Sequence, residues 1–253
     1  IIRKLPAVET LGGTMVICSD KTGTLTENQM TVQKILAGGD LYELTGSGYT
    51  PEGKVLKDNA AVEAATSPPL IECLRAGLLC NDSRLVQKDE RWAIDGDPTE
   101  GALIVSAAKA GLKIDAVEAL PRMDVIPFES ERAYMATLHN TDEGKPPVVY
   151  VKGAVEKVLD QCAQGLSDDR SVTDLGKKAV LQAADAMAGE GLRVIAFARK
   201  EFPAGRRTFG SSEDLSSLTF LGLQGMIDPP RQEAMRAIEV CKTAGIAVKM
   251  ITG

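Results

Sequence analysis

The two ends of this sequence share a pattern in which a short apolar segment stops abruptly at small polar residues. Residues 14–18 are followed closely by Asp20 and a Lys-Thr-Gly-Thr run, and residues 247–251 are followed by Thr252 and Gly253. Short apolar runs bounded by turn residues are typical of buried strands in a parallel sheet. We therefore expect a buried strand at 14–18, one parallel sheet made by both ends, and an inserted α+β domain between them.

The composition excludes several classes of protein. The 253 residues have a net charge of -6, which disfavours a general nucleic-acid binder, because such a protein needs a basic face. No apolar run approaches the roughly 20 residues of a membrane-spanning helix, so we expect no membrane insertion. One histidine and five cysteines without a C-x-x-C pair leave little material for a zinc site or a Ser-His-Asp triad, and favour reduced thiols. The chain begins at Ile1 rather than methionine, which favours a piece of a longer protein.

Local signals predict several elements in the middle of the chain. Gly38 and Gly39 separate two alternating segments and indicate a hairpin. A proline pair at Pro68 begins a helical pattern that continues to Leu79, and Asp97, followed by proline, is the expected N-cap of another helix. Further patterns predict strands at 122–126, 134–139, 148–152, 193–199 and 218–226, and helices at 154–162, 175–188 and from about 231 to 244.

Asp20 is the first candidate functional residue. Because it follows an expected strand, its carboxylate should lie at the carboxyl edge of the parallel sheet, where ligands of open α/β sheets bind. The next four residues supply a cation, two hydroxyls and a glycine. A carboxylate that attacks a phosphoryl group needs charge compensation, N–H donors and space for a metal. The residues alone leave two interpretations open, a phosphoryl acceptor and an ordinary polar turn.

Residues 20–26, Asp-Lys-Thr-Gly-Thr-Leu-Thr, resemble the phosphorylation motif of the P-type ATPases, ion pumps that pass through an aspartyl-phosphate. Other segments that resemble this family are 3–12, 27–31, 97–103, 127–135, 151–154, 191–194, 228–231 and 250–253. The resemblance implies an α/β fold in two parts. An incomplete Rossmann-like phosphorylation domain of the haloacid-dehalogenase type would comprise 1–29 and 228–253, and an inserted α+β nucleotide-binding domain built on an antiparallel sheet would comprise 30–227.

The resemblance also implies an ATP site in the inserted domain. Glu100 would contact the amino group of adenine, and Phe128 would stack on the adenine ring. Lys152 and Gly153 resemble a strand end deep in the nucleotide pocket, and Arg193 resembles an arginine that reaches the phosphates. The other residues that the resemblance assigns to the nucleotide are Ser130, Arg132, Asp228 and Arg231.

These residues also have ordinary structural interpretations. Glu100 can form a capping box with Asp97 at the start of a helix. Phe128 can be a core side chain, and Lys152 can be a solvated surface lysine. Many members of the family have a lysine where this sequence has Ala133, so one cation expected near the phosphates is missing.

At the phosphorylation site, the resemblance implies a role for each residue of the motif. Asp20 would attack the γ-phosphate of ATP, while Lys21 and Mg²⁺ would offset the developing charge. The Asp20 carboxylate and the Thr22 carbonyl would supply part of the magnesium coordination. Thr24, Thr252 and Gly253 complete the catalytic set. Because other members supply further ligands beyond the matching segment, we expect this chain alone to bind ATP without efficient turnover.

Sequence motifs that are absent narrow the class of nucleotide-binding protein further. No Gly-Lys pair is followed by Ser or Thr, which excludes a P-loop, and the glycines at 46 and 48 lack the rest of a dinucleotide fingerprint. His139 is followed by Asn140 rather than by the proline of heavy-metal pumps, which disfavours that branch, and residues 26–30 and 130–132 resemble the calcium or sodium/potassium-like branch. Two alternatives stay open. One is a soluble haloacid-dehalogenase-type phosphohydrolase, whose second aspartate would stand at Thr22, and the other is a module that only binds a nucleotide.

The resemblance finally implies partners and a location. The partners would be ATP and the transmembrane and actuator domains of the same pump, and the segment would lie on the cytoplasmic face of a membrane. Because the ion ligands of the family lie in membrane helices, this sequence does not identify the transported ion.

Overall fold

The computed structural model describes residues 12–89, 91–114, 119–141, 145–210 and 212–251. Residues 3–11, part of a segment that resembles the family, lie outside this range, as do Thr252 and Gly253. The described chain falls into two compact units. The terminal unit contains both ends of the chain, up to Gln29 and from Asp228 onward, and the central unit contains Met30–Ile227. No helix in the described ranges is long and apolar enough to cross a membrane.

The described ranges contain fifteen strands and the five α-helices named below. The strands are β1 (Val16–Asp20), β2 (Thr31–Ala37), β3 (Asp40–Leu44), β4 (Val55–Lys57), β5 (Ala60–Val62), β6 (Arg84–Lys88), β7 (Arg91–Asp95), β8 (Arg122–Glu129), β9 (Tyr134–His139), β10 (Val148–Gly153), β11 (Cys162–Leu166), β12 (Val172–Thr173), β13 (Arg193–Glu201), β14 (Leu218–Ile227) and β15 (Ala247–Ile251). The helices are α1 (Pro68–Leu79), α2 (Pro98–Lys109), α3 (Val155–Gln161), α4 (Lys177–Gly189) and α5 (Gln232–Thr243).

The terminal unit has a two-stranded parallel sheet of β1 and β15, with Val16 beside Ala247 and Asp20 beside Ile251. The predicted pairing of the two chain ends is therefore confirmed. The predicted buried strand at 14–18 is wrong, because β1 begins at Val16 and this side chain is 48% exposed. In the described part of this unit, two strands and α5 are too few to cover the apolar side chains of the sheet.

The central unit is built on an 11-stranded sheet. Its strands follow the order β5-β4-β3-β2-β14-β13-β10-β9-β8, and neighbours along this path are antiparallel. β11 pairs parallel with β14 and antiparallel with β12. The predicted antiparallel sheet is therefore confirmed. A separate hairpin of β6 and β7, which the sequence analysis does not predict, lies outside this sheet.

Local sequence signals fix several connections in the central unit. Gly38 and Gly39 join β2 to β3 with φ values of 62° and 87°, so the predicted hairpin is confirmed at residues that tolerate positive φ. α1 spans the residues that the proline pair predicts. Asp97 is the N-cap of α2, because its carboxylate accepts hydrogen bonds from the N–H groups of Thr99 and Glu100 at 2.8 and 3.1 Å.

Two hydrophobic clusters cover the two faces of the central sheet. The first contains Tyr150 of β10 together with residues of α1 and α2. The second contains Val149 and Val151 of β10 together with residues of α3 and α4. Because side chains alternate along a strand, Lys152 lies on the same face as Tyr150. The β10 strand therefore presents this lysine to the side of the sheet that α1 and α2 cover.

Candidate functional site

A cavity of about 450 Å³ lies in the central unit, where the start of α2 meets the ends of β8 and β10 and the start of β13. A volume of this size is typical of small-molecule sites. The cavity is lined by Asp97, Thr99, Glu100, Leu103, Phe128, Ala133, Lys152, Gly153, Ala154, Arg193, Val194 and Ile195. The fold therefore brings together five residues predicted to contact a nucleotide, namely Glu100, Phe128, Lys152, Gly153 and Arg193.

Lys152 and Glu100 form an ion pair in the wall of this cavity. The Lys152 Nζ atom donates to Glu100 Oε1 at 2.5 Å, and the two side chains are only 9% and 16% exposed. The interpretation of Lys152 as a solvated surface lysine is wrong, since β10 is an inner strand of the sheet and α1 and α2 cover this face. The pairing leaves neither the buried cation nor the buried anion without a partner of opposite charge.

The second oxygen of Glu100 is held by the loop that follows α1. Glu100 Oε2 accepts from the Asp82 backbone N–H at 3.0 Å and from Ser83 Oγ at 3.0 Å. The capping-box interpretation is wrong for Glu100, because the Asp97 N–H donates to Ser83 Oγ at 2.9 Å and not to the glutamate. Glu100 thus faces the cavity as a carboxylate that three donors hold in one position.

Phe128 presents its ring to the cavity near the end of β8. The residue is 55% exposed, so the interpretation of Phe128 as a core side chain is wrong. The pairing of β8 with β9 is irregular between Ile126 and Glu129, which changes the alternation of side chains at this point. An exposed aromatic ring at a cavity entrance offers a flat apolar surface to a planar ligand.

Gly153 allows two backbone segments to approach each other at the floor of the cavity. The Ala154 N–H donates to the Ala133 carbonyl oxygen at 2.9 Å. A Cβ atom on Gly153 would lie 2.5 Å from that same oxygen, so a side chain does not fit here. Ala133 itself has a φ of 55° and lines the cavity, where it contributes a methyl group and no charge.

Arg193 is the exposed cation of the cavity. It begins β13, and its Nη1 atom lies 3.4 Å from the Thr99 Oγ1 atom of α2. Since a hydroxyl is neutral, this hydrogen bond does not neutralise the guanidinium. Thr99 is buried, and its own N–H is bound by the Asp97 N-cap.

Asp20 lies in the terminal unit as the last residue of β1, and it is exposed. Its Oδ1 atom accepts from the Lys21 N–H at 2.7 Å. The following turn contains Gly23 with a φ of 72°, a conformation that glycine adopts readily. Lys21, Thr22 and Thr24 are also exposed in this turn.

Comparison with known proteins identifies the family. The family model described as "P-type ATPase, cytoplasmic domain N" matches residues 69–233, which include the whole cavity described above. The chain belongs to the P-type ATPase family. The matched residues of this P-type ATPase sequence lie almost entirely within the central unit.

Three relatives illustrate the similarity of this P-type ATPase sequence to longer proteins. A Synechocystis protein named "Cation-transporting ATPase pma1" is 50% identical over 260 residues. A Mycobacterium tuberculosis protein named "Probable cation-transporting ATPase F" is 47% identical over 255 residues, and a Bacillus subtilis protein named "Calcium-transporting ATPase" is 39% identical over 256 residues. Each alignment covers 100% of this chain but 28% of the relative's length.

Not all predicted residues of this P-type ATPase chain meet at the cavity. Ser130 and Arg132 are not among its lining residues, and Arg132 forms an ion pair with Glu129 at 2.8 Å. Asp228 and Arg231 belong to the terminal unit. The assignment of these four residues to the nucleotide stays a prediction.

Asp228 and Arg231 hold the turn that follows Asp20. The Thr26 hydroxyl donates to Asp228 Oδ2 at 2.5 Å. The Arg231 guanidinium donates to the carbonyl oxygens of Thr26 at 2.9 Å and of Gly23 at 3.1 Å. These bonds join the residues just before α5 to the turn that follows Asp20.

The magnesium ligands that the family implies are oxygens of Asp20 and Thr22. Carboxylate and carbonyl oxygens are ligands that Mg²⁺ prefers, so the two exposed residues fit part of its coordination shell. Within the described ranges, no group of three or more His, Cys, Asp or Glu side chains is arranged to hold a metal ion.

Ser83 and Asp82 are the functional candidates that the sequence analysis missed. They follow α1, and 17 residues separate Ser83 from Glu100, so no local spacing rule connects them. The signal that could have found them is the Asn-Asp-Ser run directly after a predicted helix, since such residues commonly bind neighbouring backbone and side-chain groups.

Proposed function

We propose that the central unit binds ATP in the cavity of α2, β8, β10 and β13. The observation that carries this proposal is the convergence of an exposed aromatic ring, a positioned carboxylate and an uncompensated guanidinium in one cavity of ligand size. These groups, Phe128, Glu100 and Arg193, come from segments far apart in the sequence, and among the described residues no ion pair is seen for Arg193.

The adenine end of the nucleotide would lie between Phe128 and Glu100. Stacking of a base on an aromatic ring contributes about 1–3 kcal/mol in nucleic-acid complexes, and Phe128 is exposed enough to take part in it. Glu100 is held as an ionised acceptor by Lys152 and two other donors. A carboxylate in this state favours a donor such as the adenine amino group.

The phosphate end would be bound by Arg193. The guanidinium donates to the neutral Thr99 hydroxyl, so its positive charge remains for an anionic ligand. Lys152 contributes less net charge, because Glu100 already balances it. Because this sequence has Ala133 where many members have a lysine, Arg193 is the main cation of the proposed site, and the resemblance adds Ser130 and Arg132 as further ligands of the nucleotide.

In the whole protein, we propose that Asp20 accepts the γ-phosphate of ATP. Its carboxylate is exposed, and Lys21 lies next to it to offset the developing charge. Mg²⁺, with the Asp20 and Thr22 oxygens among its ligands, would supply further charge compensation when bound. Thr24, Thr252 and Gly253 would complete this site. The names of the relatives support coupling of this step to cation transport, with calcium as one candidate ion.

The whole protein would also contain transmembrane and actuator domains. The 28% coverage of the relatives supports this proposal, because much of their length lies outside the aligned region. The aligned segment would then work on the cytoplasmic face of the membrane. Its Rossmann-like phosphorylation domain would be larger than the two-stranded sheet of the terminal unit.

Measured ATP affinity tests the binding proposal. Calorimetric titration of the 253-residue chain should give saturable binding, and Phe128→Ala should weaken it by about 5- to 150-fold, which corresponds to the loss of one stacking contact. Lys152→Ala should also weaken binding. Val125→Ala is the control, because Val125 is an exposed residue of the same strand that does not line the cavity. If neither Phe128→Ala nor Lys152→Ala weakens ATP binding, this assignment of the pocket is incorrect.

The proposed low turnover of this chain has its own test. We expect little acid-stable labelling when the chain is incubated with γ-labelled ATP and Mg²⁺, because Asp20 and Thr22 supply only part of a magnesium site. Asp20→Asn is the background control. Rapid, hydroxylamine-sensitive labelling that disappears in Asp20→Asn would show that the chain alone is catalytically competent, contrary to the proposal.

A further inference from the structure

Ser83 contacts residues of the candidate nucleotide site from outside the cavity. It lies between α1 and β6, and its side chain is buried although it is not one of the residues that line the cavity. Its hydroxyl contacts two parts of the cavity wall, the Glu100 carboxylate and the backbone of Asp97. This position suits a group that acts on the ligand only through another residue.

The hydrogen-bond pattern determines where the Ser83 proton points. Ser83 Oγ accepts the Asp97 N–H at 2.9 Å, so this contact does not use the hydroxyl proton. The proton has two possible acceptors, Glu100 Oε2 at 3.0 Å and the Asp97 carbonyl oxygen at 3.3 Å. The ionised carboxylate is both the closer and the stronger acceptor. Ser83 therefore donates to Glu100.

Ser83 is itself held in place by its neighbours. Its N–H donates to Asn81 Oδ1 at 2.9 Å, and the Asn81 amide donates to the backbone oxygens of Gly77 and Glu100. Gly96 has a φ of 126°, and a Cβ atom there would overlap the Ser83 hydroxyl. The end of α1 and the start of α2 are thus joined around this one serine.

The two oxygens of Glu100 are fixed by different kinds of donor. Lys152 has a long, flexible side chain, so its single bond to Oε1 does not determine the plane of the carboxylate. The Asp82 N–H and the Ser83 hydroxyl belong to an ordered loop and fix Oε2. A carboxylate that is held in place before the ligand binds loses less rotamer freedom on binding.

We infer that Ser83 is a positioning residue that sets the preference of the site for an adenine base. This inference rests on the proposed function, in which Glu100 accepts a hydrogen bond from the adenine amino group. Ser83 orients the Glu100 carboxylate toward that amino group, and it makes no contact with the phosphates. Loss of the Ser83 hydroxyl should therefore reduce the part of the affinity that depends on the amino group.

Two ligands separate this effect from a general loss of structure. ATP carries the 6-amino group, whereas purine riboside 5′-triphosphate has hydrogen in its place. We expect Ser83→Ala in the 253-residue chain to weaken ATP binding by about three- to tenfold, the order of the net contribution of one ordinary hydrogen bond, because Ser83 acts on the ligand only through Glu100. Binding of the analogue should change by less than about twofold, because the analogue lacks the donor that Glu100 accepts.

Ser67→Ala is the matched control. Ser67 and Ser83 are both 8% exposed, and each donates to a carboxylate, but the Ser67 bond to Asp168 at 3.1 Å lies away from the cavity. Ser67→Ala should leave both affinities unchanged. If Ser83→Ala does not fold, as judged by its thermal transition, Ser83→Cys replaces it, because a thiol keeps the approximate size and donates only weakly.

The outcomes distinguish this inference from the proposed function. If the unmodified chain does not bind ATP, the proposed function fails. If it binds ATP and the Ser83 variant retains its preference for ATP over the analogue, the positioning role is refuted. An equal loss of affinity for both ligands would also refute it, since this result indicates only a structural role. A loss confined to ATP supports the inference.

Discussion

The central and terminal units hold their candidate residues in different ways. In the central unit, Lys152 lies on an inner strand of an 11-stranded sheet, and a hydrophobic cluster of α1 and α2 covers this face. In the terminal unit, Asp20 ends an exposed strand of a two-stranded sheet. The turn beside it depends on hydrogen bonds from Arg231 and to Asp228. A hydrophobic core thus supports the cavity, whereas local polar contacts support the turn that follows Asp20.

The comparison teaches that a segment with a specific sequence motif need not lie in the better packed unit. Residues 20–26 have the strongest resemblance to one family of any segment in the sequence. Within the described ranges, however, they belong to the unit whose apolar side chains are more exposed. The residues of the cavity are individually unremarkable in the sequence, yet they meet in a well-packed unit. We therefore expect ligand binding by the central unit to depend little on the terminal unit.

Truncation of an apolar side chain should show the largest contrast between the units. Leu74→Ala removes a fully buried side chain of α1 and should destabilise the chain by about 3 kcal/mol, through lost burial and an unfilled cavity. Met250→Ala removes a side chain that is 59% exposed on β15 and should change stability by less than about 0.5 kcal/mol. Urea unfolding followed by far-UV circular dichroism measures both. Equal losses of stability in the two variants would show that the two units do not differ in how well they are packed.

Removal of the buried cation should have the next largest effect. Lys152→Met leaves the Glu100 carboxylate without its ion-pair partner and should cost about 2 kcal/mol of stability, below the usual range for a fully buried pair because the cavity admits water.

Lys57→Met is the control for this prediction, since Lys57 pairs with Asp40 at the same 2.5 Å but is 39% exposed. This control should cost clearly less stability than Lys152→Met, because solvent screens an exposed ion pair. The fluorescence of the single tryptophan, Trp92 in β7, reports unfolding of the central unit. Similar losses in the two variants would contradict burial of the cavity pair.

Acid should weaken the central unit through its single histidine. Burial lowers the pKa of His139, and the positive charge of Arg122 lowers it further. The unfolded chain, with an ordinary histidine pKa of about 6.5, then binds a proton more readily than the folded chain. The stability is therefore complete above that value and falls as the pH decreases below it.

The matched variant for this prediction is His139→Gln. Between pH 7 and pH 5, the unmodified chain should lose more stability than the variant does, because the glutamine does not titrate. Urea titrations at the two pH values, followed by Trp92 fluorescence, provide the comparison. The terminal unit contains no histidine, so a histidine-dependent loss reports on the central unit alone. Parallel pH dependence in the two proteins would contradict this prediction.

The sequence predicts those features that depend on neighbouring residues. The Gly38-Gly39 hairpin and the Asp97 N-cap follow from short-range rules, and both are confirmed. The β6–β7 hairpin was missed because Arg, Lys and Gln interrupt the apolar alternation of these strands.

The contacts in the cavity join residues that are far apart in the sequence, and local residue patterns did not predict them. The pair of Asp97 and Glu100 has the spacing of a capping box, but Lys152 and Ser83 bind the glutamate instead. These partners lie 52 and 17 residues away in the sequence, a separation that helix rules do not consider. The resemblance to P-type ATPases predicted Glu100, Phe128 and Lys152 as members of one site, which a single sequence pattern does not.

Burial in the terminal unit could not be predicted from the strand itself. The apolar residues at 14–18 are typical of a covered strand, but coverage depends on which other elements are present. In the described ranges, that unit contributes only β1, β15 and α5. The prediction of a strand was right, and the prediction of its burial was wrong.

The most direct test of the central claim is a nuclear magnetic resonance titration of the isotopically labelled 253-residue chain with ATP. We predict saturable amide shifts that share one dissociation constant and cluster at Glu100, Phe128, Lys152 and Arg193, with little change along α4. Shifts that concentrate on α4 or on other surfaces away from the cavity, or no saturable shifts at all, would contradict the account.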